Sequence, residues 1–335
     1  MSEGLFHPSV LAIPAVSEDR LCAAVVRILP KTMLVLDIAD SAEEATARGR
    51  NEADRDGTQY WYRCFTQEDV AKVADPVFSM GMVRHEFSRL VKAGATFPAT
   101  VPLDGGGTGF AISPRGYVLT NYHLITTDVA NHRREDGALH HEVPCRGLRA
   151  QIATKRGSSG WTWSDAQEVW LVSNPPADRA LWADAQGLLH PREDTALLRV
   201  FPPPADFVSL SAAVPVVGDP VWMAGFPLRT ARAGASPASI GYADADGTLR
   251  VSAGKITETE PPNYFTTDLD GSMGNSGSPV FDAAGGVTGM FSRAKGEGPR
   301  NAVEYGFVQR VHVTSAMARR SLELHVEIES GGANP

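Results

Sequence analysis

Three side chains that can act together on a polar bond lie far apart in the chain. Ser276 stands in "GNSGSPV" (residues 274–280), with a glycine on either side. A glycine-flanked serine is typical of a tight turn between strands, but it is also the setting of a nucleophile whose neighbouring N–H groups bind an oxyanion. The second interpretation needs a base and an orienting carboxylate elsewhere, because a serine hydroxyl is a weak nucleophile near neutral pH.

Candidates for both roles come earlier in the chain. "GYVLTNYHLI" places His123 just after an apolar strand, and "PREDTALLRV" places Asp194 directly before another. Alone, each is an ordinary residue of a strand end. With Ser276 they supply a base, a carboxylate that fixes the tautomer of that base, and a nucleophile, in the order His, Asp, Ser. Gly274 leaves the backbone room to turn its N–H, with that of Ser276, toward a developing oxyanion.

Three blocks of sequence carry a resemblance to a known family. "FPATVPLDGGGTGFAISPRGYVLTNYHLI", "DTALLRV" and "GNSGSPVFDAAGGVTGMFS" resemble the signatures of trypsin/chymotrypsin-like (PA clan) serine peptidases, over about residues 97–325. "TNYH" with "GNSGSP" is similar to bacterial members: glutamyl endopeptidases, HtrA-type proteases and dipeptidyl peptidases. The resemblance implies two six-stranded antiparallel β-barrels, with His123 and Asp194 from the first and Ser276 from the second. The elbow motif of α/β-hydrolases does not fit, because residue 278 is Ser and the residue order differs.

The elements that would position these residues follow the same division. From residue 97 the sequence consists of short β-rich runs broken by Gly, Pro and Asp, typical of an antiparallel sandwich or barrel. "SPRG" (113–116) and "DAAGG" (282–286) predict hairpin turns, and residues 314–328 predict a C-terminal helix. This pattern predicts a mainly β fold class, and the resemblance implies that residues 96–330 form the chymotrypsin-like double barrel.

Residues 1–95 have a different pattern. Residues 41–57 are charged and helix-prone, and residues 66–94 have roughly helical apolar spacing after a capping-box start at Thr66. We therefore predict a mostly helical N-terminal extension. Its sequence shows no chemistry of its own, and three roles stay open for it: to inhibit the protease, to recruit substrate, or to dock to a regulatory partner that switches the protease on.

His123 and Asp194 are 71 residues apart (194 − 123), more than compact members of the family use. The stretch 128–190 is therefore predicted to carry enlarged surface loops or an added hairpin. This stretch contains Trp161, Trp163 and Trp182. These tryptophans either pack the loops against the body of the protein or stack on substrate, and packing is the favoured interpretation.

The resemblance also implies a specificity pocket. In such peptidases the residue six before the nucleophile, here Asp270, lies at the base of the S1 pocket, and the wall comes from the strand near Ser292 and Arg293. A carboxylate there favours an Arg or Lys side chain at P1, whereas Arg293 turned inward would neutralise it or recruit an acidic one. The alternative is that both residues are solvated. Asn275 cannot form the ion pair with a new N-terminus that activates trypsin-like zymogens.

The composition excludes several partners. The net charge is −8, so a phosphate-binding basic face is not expected, and the apolar runs are too short to cross a bilayer. The first residues lack the pattern of a secretory signal and the three cysteines are scattered, which favours the cytoplasm and no disulfide framework. "HHEVPC" (His140, His141, Cys145) has no second ligand pair, so neither a metal nor another cofactor is expected.

Three functions fit these residues. The first is a serine endopeptidase acting on protein or peptide substrates. The second is a pseudoprotease or peptide-binding module that uses the cleft without catalysis, although a lapsed enzyme usually loses a catalytic residue. The third is an esterase using the same three residues.

Overall fold

The structure, a computed structural model, describes most of the chain between residues 12 and 310. The described residues are 12–54, 57–75, 78, 82–103, 106–125, 143–145, 147–155, 161–173, 181–183, 189–191, 194–227, 248–259, 264–269, 271, 274–297 and 302–310.

The elements formed by these residues are mainly strands. In chain order they are α1 (Glu18–Ala24), β1 (Val25–Pro30), β2 (Thr32–Ala39), α2 (Ala42–Arg48), β3 (Arg50–Ala53), β4 (Gln59–Thr66), α3 (Gln67–Lys72), α4 (Met82–Lys92), β5 (Ala99–Leu103), β6 (Gly107–Ala111), β7 (Tyr117–Thr120), a 3-10 helix (Tyr122–Leu124), β8 (Val143–Pro144), β9 (Leu148–Lys155), β10 (Trp161–Asp165), β11 (Glu168–Ser173), β12 (Leu181–Ala183), β13 (Leu189–Pro191), β14 (Ala196–Phe201), β15 (Pro220–Gly225), β16 (Arg250–Glu258), β17 (Tyr264–Thr267), β18 (Pro279–Phe281), β19 (Val287–Glu297) and β20 (Ala302–Arg310).

The first sheet has eight antiparallel strands in the spatial order β10-β9-β1-β6-β7-β14-β11-β8. Every residue of β6 and β7 is buried, as expected for short apolar runs in the middle of a sheet. The predicted count of six strands is wrong for this sheet. The difference arises because β1, from the predicted extension, pairs with both β6 and β9, and β10 adds an edge beyond β9.

A second, four-stranded sheet lies within the sequence between β1 and β6. Its order is β3-β4-β2-β5, with β2 and β4 parallel and the other neighbours antiparallel. Helices α2, α3 and α4 belong to the same segment, and we call residues 32–103 the inserted module. Its core contains Phe65, Phe78 and Phe87, with the rings of Phe65 and Phe87 stacked at a centroid distance of 3.9 Å.

The inserted module corrects the prediction for the N-terminal region. The predicted helices are present as α2, α3 and α4, and Thr66 forms the predicted capping box with Asp69. The region is nevertheless partly β and not mostly helical, because β1, β2, β3 and β4 also lie in it. The apolar run at residues 32–39 is β2, and its buried and half-buried residues largely alternate, which is the period of a strand.

The first sheet and the module meet where β1 leads into β2. In the first sheet Ile28 of β1 pairs with Gly107 of β6, and in the module Thr32 of β2 pairs with Leu103 of β5. The register is the same on both sides of the junction. Lys31 connects the two parts, because its N–H donates to the Gly147 carbonyl (2.7 Å) and its carbonyl accepts from the N–H of Gln59 (2.8 Å). The module therefore extends from the tip of the β1/β6 hairpin.

The remaining strands form a closed barrel in the order β15-β16-β17-β20-β19-β18. This is the predicted second six-stranded barrel. The predicted turns are also present: residues 113–116 connect β6 to β7, and residues 282–286 connect β18 to β19. Gly116 and Gly285 lie in these turns with φ values of +83° and +82°, the left-handed region that glycine adopts without steric cost.

The hydrophobic cores divide the molecule differently from the sheets. One core joins the first sheet to the barrel, with Phe110 and Leu197 from the former and Phe226 and Phe281 from the latter. The ring of Trp163 meets that of Phe226 edge to face at 5.0 Å. The core of the inserted module shares no residue with it. The first sheet and the barrel are thus one packed body around a common core.

Several smaller predictions concern the edges of this body. The stretch 128–190 contains a separate hairpin of β12 and β13. Trp161 is buried and its indole N–H donates to Asp19 Oδ1 (2.7 Å), which agrees with a packing role. The side chain of Trp182 and the predicted helix at 314–328 lie outside the described residues. The division at residues 95 and 96 stays a prediction, and among the described helices none is long and apolar enough to span a bilayer.

Candidate active site

Ser276 lies on a loop between β17 and β18 that is held on both sides. The N–H of Gly277 donates to the Phe291 carbonyl (2.8 Å), and the N–H of Ser278 donates to the Asn275 carbonyl (2.9 Å). Gly277 has φ +85°, and a Cβ there would lie 1.9 Å from the Thr108 carbonyl oxygen, so only glycine fits. This close approach to the first sheet leaves Ser276 half-buried between the first sheet and the barrel.

His123 and Asp194 are brought together, although 71 residues separate them. The 3-10 turn after β7 carries His123, and Asp194 lies two residues before β14, the neighbour of β7. His123 Nδ1 is 2.8 Å from Asp194 Oδ2, and the backbone N–H of His123 donates to Oδ1 (3.0 Å). One carboxylate thus orients both the ring and the backbone of the histidine, which leaves Nε2 as the ring nitrogen for proton transfer.

Asp194 is fully buried, while the His123 side chain is 42% exposed. Burial by itself raises the pKa of the Asp194 carboxyl. The charge of the His123 imidazolium, the hydrogen bond to its ring, the Ser292 hydroxyl and the His123 backbone N–H outweigh that effect and lower the pKa to about 2. Asp194 is therefore ionised at any physiological pH and stabilises positive charge on His123.

Ser292 connects this pair to Ser276. Its hydroxyl donates to Asp194 Oδ2 (2.6 Å), and its backbone carbonyl accepts from the hydroxyl of Ser276 (3.2 Å). The sequence predicted Ser292 as a pocket residue, whereas the structure places its hydroxyl on the buried carboxylate. Ser292, on β19 of the barrel, thus contacts Ser276 through its backbone carbonyl and the pair of Asp194 and His123 through its hydroxyl. In this conformation the Ser276 hydroxyl points to Ser292, and rotation about its Cα–Cβ bond changes its acceptor.

The other predicted residues are only partly placed. Gly274 lies in the loop with φ +94°, a conformation that glycine adopts freely. Asp270 and the side chain of Arg293 lie outside the described residues. Of the candidate ligands in "HHEVPC", His140 and His141 lie outside the described residues, and Cys145 is buried in the core of the first sheet. Within the described parts of the chain no three His, Cys, Asp or Glu side chains are grouped to hold a metal ion.

Two residues of the site were not predicted. The Asn121 side chain donates to the Asp194 carbonyl (2.8 Å), which fixes the backbone of the carboxylate, and it directly precedes the turn that carries His123. Thr108 contacts the serine loop with its backbone and its hydroxyl. A local signal exists for Asn121, in "TNYH". Thr108 gives none beyond its place in "GGGTGF", because its partners lie up to 168 residues away in the sequence.

The assembled residues suit nucleophilic attack on a carbonyl. A hydroxyl, an oriented imidazole and an ionised carboxylate lie in one network, beside a glycine-rich loop whose N–H groups at Gly274 and Ser276 are the predicted oxyanion donors.

Comparison with known proteins shows the family to which the chain belongs. A profile described as "Trypsin-like peptidase domain" matches residues 107–290, more than half of the chain. A search of curated proteins gave no match. The solved structures similar to this chain include a serine endoprotease from Yersinia pestis, at 19% identity and a TM-score of 0.41 over 66% of this chain and 59% of the other. They also include Rv3671c from M. tuberculosis in an inactive mutant form, at 18% identity and a TM-score of 0.39 over 66% of this chain and 84% of the other.

Proposed function

Because this chain belongs to the trypsin-like peptidase family, we propose that it is a serine endopeptidase whose catalytic residues are His123, Asp194 and Ser276. The observation that carries the proposal is the buried Asp194 carboxylate, bound to His123 Nδ1 at 2.8 Å and linked through Ser292 to Ser276. A pseudoprotease has no need to maintain an ionised carboxylate in this position.

The proposed mechanism follows from the roles of these groups. His123 takes the proton of the Ser276 hydroxyl as Oγ attacks the peptide carbonyl, and Asp194 stabilises the imidazolium that forms. The N–H groups of Gly274 and Ser276 bind the oxyanion. His123 then gives its proton to the leaving amine. In the second half of the reaction His123 takes a proton from a water molecule that attacks the acyl carbon, and it returns the proton to Ser276 Oγ as the carboxylic acid product leaves.

The test is labelling by a fluorophosphonate probe together with peptide hydrolysis. We expect the wild type to react and Ser276→Ala not to, while Ser278→Ala, two residues along the same loop, still reacts. Loss of Ser276 or His123 should lower turnover by several orders of magnitude, roughly 10³-fold or more, with the fold intact. An unreactive wild type would favour the peptide-binding module. Near-wild-type hydrolysis by His123→Ala would rule out the mechanism, and ester hydrolysis without peptide hydrolysis would favour the esterase.

For specificity we propose a basic P1 residue, with Asp270 as the base of the pocket. The support is the family position of this residue, six before the nucleophile. A charge in a site with little water has a large effect, so Asp270→Ser should lower kcat/KM for Arg and Lys substrates by roughly 10²-fold, and much less for apolar ones. The rival proposal gives the leading role to Arg293 and an acidic P1. A P1 scan in which Glu or Asp is strongly preferred would support the rival.

We also propose that residues 1–95 contain the binding surface for a regulatory partner. The support is that most of the inserted module lies in this range and that it has a hydrophobic core of its own. A partner that binds there should change hydrolysis by the full chain and leave a variant without the module unaffected.

A further inference from the structure

Thr108 makes four hydrogen bonds where the first sheet meets the barrel, and it is fully buried. Its backbone N–H donates to the Ser276 carbonyl (2.8 Å), and its carbonyl accepts from the hydroxyl of Thr120 (2.7 Å). Its hydroxyl donates to the Gly274 carbonyl (2.9 Å) and accepts from the backbone N–H of Phe226 (3.1 Å). The hydroxyl therefore binds the serine loop and the end of β15 at the same time.

These contacts hold the loop on both sides of Asn275. The side chain of Thr108 binds the carbonyl of Gly274, and its backbone binds the carbonyl of Ser276, so the two peptide planes that flank Asn275 and Ser276 are tied to β6. Gly274 itself has φ +94°, and glycine has many backbone conformations of similar energy. A contact from outside the serine loop is therefore needed to select the backbone conformation in which the N–H groups of Gly274 and Ser276 point toward the same oxyanion.

We propose that Thr108 is a positioning residue, whose hydroxyl keeps the serine loop in the conformation that binds the oxyanion. The inference rests on the proposed peptidase function. It assigns the hydroxyl a role in the transition state, because an oxyanion forms there and not in the bound substrate. Its loss should therefore reduce kcat and leave KM nearly unchanged.

Threonine offers well-matched variants at this position. Thr108→Val keeps the shape and removes the hydroxyl, and Thr108→Ser keeps the hydroxyl. Thr120→Val is the matched control, since it removes another buried threonine hydroxyl, one that binds β6 and no carbonyl of the serine loop. If Thr108→Val is insoluble, Thr108→Ala provides the same comparison.

The experiment measures kcat, KM and the inhibition constant of a peptide trifluoromethyl ketone, which forms an oxyanion on Ser276. Removing one oxyanion contact costs roughly 10²–10³-fold, and an indirect support should cost less, so we expect kcat of Thr108→Val to fall by about 10–100-fold. KM should stay within about twofold, and the inhibition constant should rise in parallel with the loss of kcat/KM. Thr108→Ser and Thr120→Val should stay within about threefold of the wild type in kcat.

The possible failures are distinguishable. A wild type that neither hydrolyses peptides nor reacts with fluorophosphonate overturns the proposed function and this inference with it. An active wild type with kcat of Thr108→Val within about threefold, or with an equal loss in Thr120→Val, overturns the inference alone, because a general loss of packing then explains the data.

Discussion

The inserted module and the closed barrel are attached to the first sheet in opposite ways. The β2/β5 pair of the module has the same register as the β1/β6 pair of the first sheet, yet the core of the module shares no residue with the cores of the first sheet. The barrel follows the first sheet through the loop after β14, without a shared strand pair, yet the two meet in a common core that includes Phe110 and Phe226. Backbone continuity and shared packing are thus separate properties here, and the proposed catalytic residues lie where packing is shared.

The strongest test of this comparison removes whole segments. Deleting residues 1–95 takes away β1, which lies between β6 and β9, so we expect no folded protein. Replacing residues 31–104 by a two-residue Asn-Gly turn keeps β1 and closes the hairpin with a favoured turn. This variant should fold and hydrolyse short peptides within about tenfold of the full chain. Circular dichroism and peptide assays measure both outcomes, and an unfolded turn variant would show that the module is needed by the protease.

A finer test compares one phenylalanine from each core. Phe87 and Phe226 are both fully buried, and replacing such a residue by Ala costs about 3–5 kcal/mol. Phe87→Ala should destabilise the module and leave short-peptide hydrolysis close to that of the wild type. Phe226→Ala should destabilise the first sheet and the barrel together, and reduce hydrolysis.

Urea unfolding followed by hydrogen exchange resolves the two regions in each variant. Equal loss of activity in Phe87→Ala and Phe226→Ala would contradict the separation of the cores.

A smaller effect should come from the charge of Asp194. Its pKa is lowered from 3.8 to about 2 in the folded protein, so its ionised form contributes on the order of 2 kcal/mol above the unfolded pKa. This contribution is lost as the pH falls through the folded pKa. The stability difference between the wild type and Asp194→Asn should therefore shrink as the pH falls from about 4 to about 2.

Urea titrations at several pH values measure this difference. A difference that does not change with pH would mean that hydrogen bonding, and not the charge of Asp194, holds His123.

The smallest effect is expected from reducing agents. Cys22, Cys64 and Cys145 are the three cysteines of the chain and form no disulfide, and burial together with the charges of Asp19 and Glu18 raises the pKa of Cys22 to about 12. Dithiothreitol should leave the melting temperature of the protein and its peptide hydrolysis unchanged. A clear loss of stability would indicate a disulfide and an oxidising compartment.

The part of the fold that sequence reasoning predicted is the part with local signals. Short apolar runs bounded by turn residues can be recognised as strands without knowing which strands they pair with. This group includes β6, β7, β14, β15 and β18. The three catalytic candidates lie at the ends of such runs. The fit of His123 to Asp194 could then be expected from the family, although the contact itself spans 71 residues.

The features that sequence reasoning missed are defined by pairing or contact with residues far away in the sequence. β1 and β2 carry few turn signals, and the charged residues 41–57 next to them favour helix, so the strands became visible only through their pairing with β6 and β5. The parallel pair β2 and β4 requires a crossover, which strand periodicity does not reveal. Thr108 is a single small polar residue in a glycine-rich stretch. The contacts that single it out are with Gly274 of the serine loop and with Phe226 after β15, both far away in the sequence.

The shared register of the ladder has a consequence for how such a protein is assembled from parts. Paired residues in antiparallel strands lie about 5 Å apart, so the module leaves and re-enters the first sheet at neighbouring points. A domain whose ends are strand neighbours can be inserted, exchanged or lost at this tip in one step, without rerouting the chain through the catalytic body. The β1/β6 hairpin is therefore a point at which one accessory domain can be exchanged for another while the rest of the fold is kept.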